Sequence, residues 1–241
     1  MKKKLLIICF FLSQFNYAQS NFEDADYIKS VVFKSSNTNT YIPVIKMGEE
    51  LLLIFDDLNA DERNYYYKIE HCNIDWTSSN LSTIEFINGF NDEKIRDIQI
   101  SFNTYIPYTN YQVRLPNLNT KFKISGNYIL SISNEDDEIV LKRRFIVYEP
   151  KTTVAVSLHK SRNISVIDTH QTVQFTINNN GLRINNPGEE IMPIILQNNN
   201  WQTAITGLKP QFYRGKQLMY LYDKETSYWA GNEFWRFDTK E

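Results

Sequence analysis

Three histidines and two cysteines are the side chains of this chain best suited to metal binding or nucleophilic chemistry. His71 and Cys72 are adjacent in a stretch that reads as strand, where neighbours point to opposite faces, so they do not converge on one zinc ion. No C-x-x-C or H-x-x-x-H accompanies them, and the pair reads as a packed thiol beside a hydrogen-bonded histidine. His159 and His170 stand eleven residues apart with nothing marking either as a base. Asp57-x-Asn59-x-Asp61 opens like a calcium loop, but Glu62 replaces the required glycine and Lys68 the bidentate glutamate. The acidic run 134–138 reads as a solvated hairpin turn. The eight glycines never fall as G-x-G, no G-K-S/T follows a glycine loop, and no serine sits in a G-x-S-x-G elbow. Paired carboxylates for glycoside hydrolysis are too numerous to discriminate. The expectation is a protein with no catalytic site, no metal and no cofactor.

The amino terminus carries a clearer signal. Lys2, Lys3 and Lys4 precede an apolar run from Leu5 to Leu12, then polar Ser13 and Gln14, then a small residue, Ala18. That order is expected of a secretory signal peptide over residues 1–18. The run is too short to cross a bilayer, which takes roughly 20 residues. Loss of the three lysines leaves 23 basic against 28 acidic side chains, a net charge of −5. No basic patch invites nucleic acid. Cys9 departs with the leader and leaves Cys72 alone, so no internal disulfide forms despite an oxidising destination. The mature protein is expected to be soluble or peripheral to the membrane.

The elements that must position any site are strands. Ile98, Ile100 and Phe102 alternate with polar residues, as do Tyr128, Leu130 and Ile132, then Val154, Val156 and Leu158, then Val173, Phe175 and Ile177. Such period-two alternation marks strands with one buried face. Further strands are expected at 27–34, 51–55, 65–72, 111–115, 139–148, 191–197 and 217–223. Asn88-Gly89, Asn180-Gly181 and Pro187-Gly188 are turn signals. A short helix fits 80–87, capped by Ser79 or Asn80. The fold class is all-β: tandem immunoglobulin- or fibronectin-like antiparallel β-sandwich domains. Pro150 cannot continue a central strand, which divides an N-terminal domain of residues 19–150 from a second β-rich domain of 151–241. The second is expected to be incomplete, since residues 237–241 offer no closing element.

Aromatic residues make up 14% of the chain, and several fall where loops are expected, among them Phe90 after Asn88-Gly89 and Tyr108 after Pro107. Rings exposed together would mark a protein-binding patch or a sugar platform. In the same region stand His71-Cys72-Asn73-x-Asp75-Trp76 and Glu85-Phe86-x-x-Gly89-Phe90. Ser101-Phe102-Asn103-Thr104, Tyr108-Thr109-x-Tyr111, Pro116-Asn117 and Ser125-Gly126-Asn127-Tyr128 follow, then Arg143-Arg144-Phe145 and Gly231-Asn232-Glu233-Phe234. This ordered series, spanning roughly residues 27 to 237, resembles the plug protein family of the type IX secretion system of Bacteroidetes. The resemblance implies a non-enzymatic periplasmic β-domain protein that docks on the giant outer-membrane barrel of the translocon and occludes its periplasmic mouth. Family members are longer, so this chain looks cut short in its later part. Function commonly lives in loops, which makes Asn73, Asp75, Trp76, Phe90, Asn91 and Tyr108 the expected partner-binding residues. The competing classes are a carbohydrate-binding module of the cell envelope and, third, a surface hydrolase.

Overall fold

The computed structural model describes residues 22–37 and 41–231. The expected leader, Cys9 within it, and residues 232–234 of the last resembling string lie outside the described residues. In the first part of the chain the elements are β1 (Ile28–Ser35), β2 (Val44–Lys46), β3 (Leu51–Asp57), β4 (Tyr66–Cys72), α1 (Thr83–Phe86), β5 (Ile87–Gly89), β6 (Glu93–Lys94) and β7 (Asp97–Ile100). They continue with β8 (Thr109–Leu115), β9 (Thr120–Phe122), β10 (Gly126–Ser133) and β11 (Ile139–Tyr148). The later part holds β12 (Thr152–Lys160), β13 (His170–Asn179), α2 (Pro187–Glu190), β14 (Phe212–Arg214), β15 (Gln217–Tyr220) and β16 (Ser227–Trp229).

Two sheets of the first part, ordered β1-β3-β8-β7 and β2-β11-β10-β4-β6, face each other as a β-sandwich. Their pairings are antiparallel except that of β2 with β11. Alternation explains the layering, because every second side chain of a strand turns to the same face. Tyr128, Leu130 and Ile132 of β10 meet Leu51, Leu53 and Phe55 of β3 and Tyr111, Val113 and Leu115 of β8 in one buried cluster. Each such side chain contributes about 1.5–3 kcal/mol by leaving water. Rings order the interior: Phe55 stacks on Tyr111 at 5.2 Å, and Tyr65 meets both edge-on. Asp57, fully buried, accepts from the Tyr65 hydroxyl and the Asn59 amide at 2.8 Å each. The calcium-like string is thus a turn closed on its own first carboxylate.

The later part forms one sheet, β12-β13-β15-β14, with β16 pairing β13. Phe175, Ile177, Leu218 and Tyr220 of that sheet share a small core with Leu208, against which Ile191, Ile195 and Ile205 pack.

Local expectations shift in instructive ways. Residues 191–197 are not a strand: Pro193 has no N–H for a ladder, and only Ile195 bridges, to Ile205. The helix at 80–87 shrinks to α1, whose start is fixed by the Glu85 carboxylate accepting from the Ser82 amide and hydroxyl at 2.7 Å each. Asn88-Gly89 is no turn but the end of β5, paired with β9. Gly89 has φ of +111°, and a side chain there would strike the Asn119 carbonyl. Pro187 opens α2, where its missing N–H costs nothing. Ile100 and Phe102 were expected to face inward with Ile98. Ile98 packs on the core, but β7 ends at Ile100, leaving Ile100 exposed and Phe102 93% exposed.

Candidate functional site

The loop after β4 is a closed device. The Asn73 amide donates to the Thr77 carbonyl (2.8 Å), the Trp76 amide to the Asn73 carbonyl (3.0 Å), and Asn73 Nδ2 to Thr77 Oγ1 (3.0 Å). Asp75 Oδ1 accepts from the Thr77 hydroxyl (2.6 Å) and amide (3.0 Å), which holds its carboxyl below the usual range. These bonds carry Trp76 into the left-handed region at φ +67°, a costly conformation for a bulky residue. The turn swings the indole inward, to 8% exposure. There the Arg144 guanidinium lies 4.8 Å from its ring and Trp201 meets it edge-to-face at 5.2 Å. Trp76 therefore joins the first sandwich to the later part of the chain. A cleft of about 760 Å³ opens beside the joint, lined by Ile74, Trp76, Met192, Pro193, Trp201 and Thr206 among others.

Next to this loop, His71 and Cys72 serve packing. His71 Nδ1 lies 2.9 Å from Ser79 Oγ, and its ring meets Tyr128 edge-on at 5.0 Å. Burial holds its pKa below 6.5, partly offset by a bond to the Ser125 backbone. Gly126 lets the imidazole lie against the backbone, since a Cβ there would collide with Nε2. The Cys72 thiol is buried, and burial, with Glu70 adding and Arg144 opposing, pushes its pKa up to about 11. His159 and His170 each lie against a hydroxyl of their own segment, Ser157 Oγ at 3.0 Å and Thr169 Oγ1 at 2.9 Å. Among the described residues no group of three or more His, Cys, Asp or Glu side chains is arranged to hold a metal ion.

The remaining expected contact residues scatter. Asn91 uses its side-chain amide as a substitute strand: Oδ1 accepts from the Ile69 amide at 2.7 Å and Nδ2 donates to the Ile69 carbonyl at 2.8 Å. Phe90 is 66% exposed, its amide donating to the Asn119 carbonyl beyond the Leu115 end of β8. Tyr108 is half-buried at the opposite end of that strand, its amide donating to Ser101 Oγ at 2.8 Å. The six residues therefore form no single patch. Asn73, Asp75 and Trp76 build the joint, Asn91 closes a sheet edge, and Phe90 and Tyr108 sit at the two ends of β8.

Sequence reasoning reaches Tyr108 at the base of the loop preceding β8 but misses the tip of that loop. Phe102 and Tyr105 are almost wholly exposed, and Ile100 and Ile106 mostly so. Asn103, at φ +55°, lies past the end of β7, and the apolar residues on the tip have no core to face.

Residues 28–149 match the family model described as type 9 secretion system plug protein, first domain. The chain is also similar to the crystal structure of a hypothetical protein from Parabacteroides merdae, at 35% identity and a TM-score of 0.83, over 88% of this chain and 54% of that one. It thus spans about half the length of that protein. No curated protein matches it.

Proposed function

The chain belongs to the type 9 secretion system plug family, and from that premise we propose that it is a non-catalytic periplasmic plug. It binds the giant outer-membrane barrel of the translocon and occludes the barrel's periplasmic opening. The family match over residues 28–149 carries this reading. A plug needs a rigid body that holds its shape without turnover. The double-sheet core with its interlocked rings supplies rigidity, and the tip before β8 supplies adhesion. Phe102, Tyr105 and Ile106 have the aromatic and apolar character enriched at interface centres. We assign the barrel contact to that tip with Tyr108 at its base, and a secondary contact to Phe90 and Leu118 at the other end of β8.

Affinity capture of the tagged, full-length exported chain from native envelope, with mass spectrometry of what is retained, tests the reading. Recovery of the giant barrel is the expected outcome, and its clean absence while known envelope complexes survive would sink the assignment. Phe102→Ala with Tyr105→Ala is expected to weaken capture at least tenfold without changing the melting temperature. Unchanged capture by that variant would remove the tip from the contact while leaving the plug reading in place.

A further inference from the structure

Phe90 and Leu118 stand exposed at the Leu115 end of β8, yet the backbone that carries them is tied to buried polar groups. Tyr67 and Thr120, both buried, place their hydroxyls 2.9 Å apart. A hydroxyl carries a single hydrogen, which fixes the direction of each bond around the pair. Thr120 Oγ1 donates its hydrogen to the Phe90 carbonyl at 2.7 Å, so the Tyr67 hydroxyl is the donor to Thr120. Tyr67 in turn accepts from Asn117 Nδ2 at 2.9 Å. A one-way chain of bonds therefore runs from Asn117 through Tyr67 and Thr120 to the Phe90 carbonyl. Successive bonds in such a chain polarise and strengthen one another.

The same residues hold the turn that carries Leu118. Asn117 Oδ1 accepts from the Asn119 and Thr120 amides at 2.9 Å each, and the Asn117 amide donates to the Thr120 carbonyl at 2.9 Å. Asn117 Nδ2 also donates to the Arg114 carbonyl at 3.1 Å, which fastens the turn to the end of β8. On the other side, the Phe90 amide donates to the Asn119 carbonyl at 2.7 Å. Both backbone polar groups of Phe90 are thus bonded to residues 119 and 120. Two outward apolar side chains from separate segments belong to one hydrogen-bonded unit. Ordering an interface loop opposes association, so a loop already ordered binds with less loss.

We propose that Thr120 is a positioning residue for the second barrel contact. Its hydroxyl, aligned by Tyr67 and Asn117, holds Phe90 and Leu118 outward as one preorganised unit. The inference rests on the plug reading and on the contact assigned above to these two side chains. Thr120 itself touches no partner and acts through the backbone of its neighbours.

Amide hydrogen exchange and barrel capture on the full-length chain test this. Thr120→Val removes the donor at nearly constant volume. It is expected to speed exchange at the amides of residues 90, 119 and 120 about tenfold relative to those of β10. It is also expected to weaken capture about threefold, because the loops must then be ordered on binding. Thr120→Ser, which keeps the hydroxyl, is expected to restore both. Ile45→Ala, which truncates the core from β2, is expected to lower the melting temperature while leaving capture unchanged. Three results would each overturn the positioning role while the wild type still captures the barrel. They are unchanged exchange in Thr120→Val, unchanged capture by that variant, and equal loss of capture in Ile45→Ala at a matched melting temperature. A wild-type chain that captures no barrel sinks the plug reading and this inference together, so the two failures are distinguishable.

Discussion

His71 shows how a residue with catalytic potential is turned to structure. Its ring sits between Ser79, Tyr128 and the bare backbone of Gly126, and burial favours the neutral form. A histidine whose folded pKa lies below its unfolded value of 6.5 binds a proton less readily when folded. Its contribution to stability is complete above that value and is lost as pH falls below it. The linked slope is at most about 1.4 kcal/mol per pH unit for one proton. Urea unfolding at about pH 7.5 and about pH 5.5 is expected to show lower stability at the acid value. His71→Asn, which keeps a hydrogen-bonding group near Ser79, is expected to flatten that difference. An unchanged difference in the variant would place the effect on other groups. The bland reading of His71 and Cys72 was legible, because neighbouring strand residues part to opposite faces. The inward turn of Trp76 was not, since it depends on a left-handed backbone that Asn73, Asp75 and Thr77 impose together.

Strands with strong alternation were legible where one face is buried, as in β10 and β13, whereas β12 alternates as strongly but leaves Val154, Val156 and Leu158 exposed. Ile98–Phe102 misled for the same reason: alternation reports a two-sided segment without saying where its ladder stops. The short pairings of β2, β5, β9 and β14 have too few residues for a period to show. The joint between parts was invisible as well, because Trp76 and Trp201 are remote in sequence and only the folded chain brings them to 5.2 Å. An edge-to-face aromatic pair contributes about 0.5–1.5 kcal/mol beyond area burial. Trp201→Ala is expected to lower stability by at least that amount and to open the Trp76 indole to acrylamide quenching, whereas Trp201→Phe largely preserves both. Equal quenching in the wild type and Trp201→Ala would mean that Trp76 is shielded by Arg144 alone.

Across the described residues, two clusters of buried apolar side chains form. One draws on buried residues from Ile28 to Val147, the other on buried residues from Phe175 to Tyr220. We therefore propose 150–151 as a domain boundary. A chain ending at Pro150 is expected to unfold cooperatively, with a melting temperature reduced about as far as by Trp201→Ala, since the same indole cover is lost. A non-cooperative melt would show that the sandwich depends on the later sheet for more than that contact.

Order in time follows from one anchor. Arg143 grips Asp24 with both guanidinium nitrogens, at 2.7 and 2.5 Å, and the Ala25 amide donates to the Val140 carbonyl at 3.0 Å. The partners of that ion pair are 119 positions apart. A chain synthesised from its amino end offers Asp24 long before Arg143. Such distant closures are slow, because loop entropy must be met before the contact repays it. The segment leading into β1 is therefore among the first to be made and among the last to be seated. Throughout that interval its carboxylate and amide stay open to solvent.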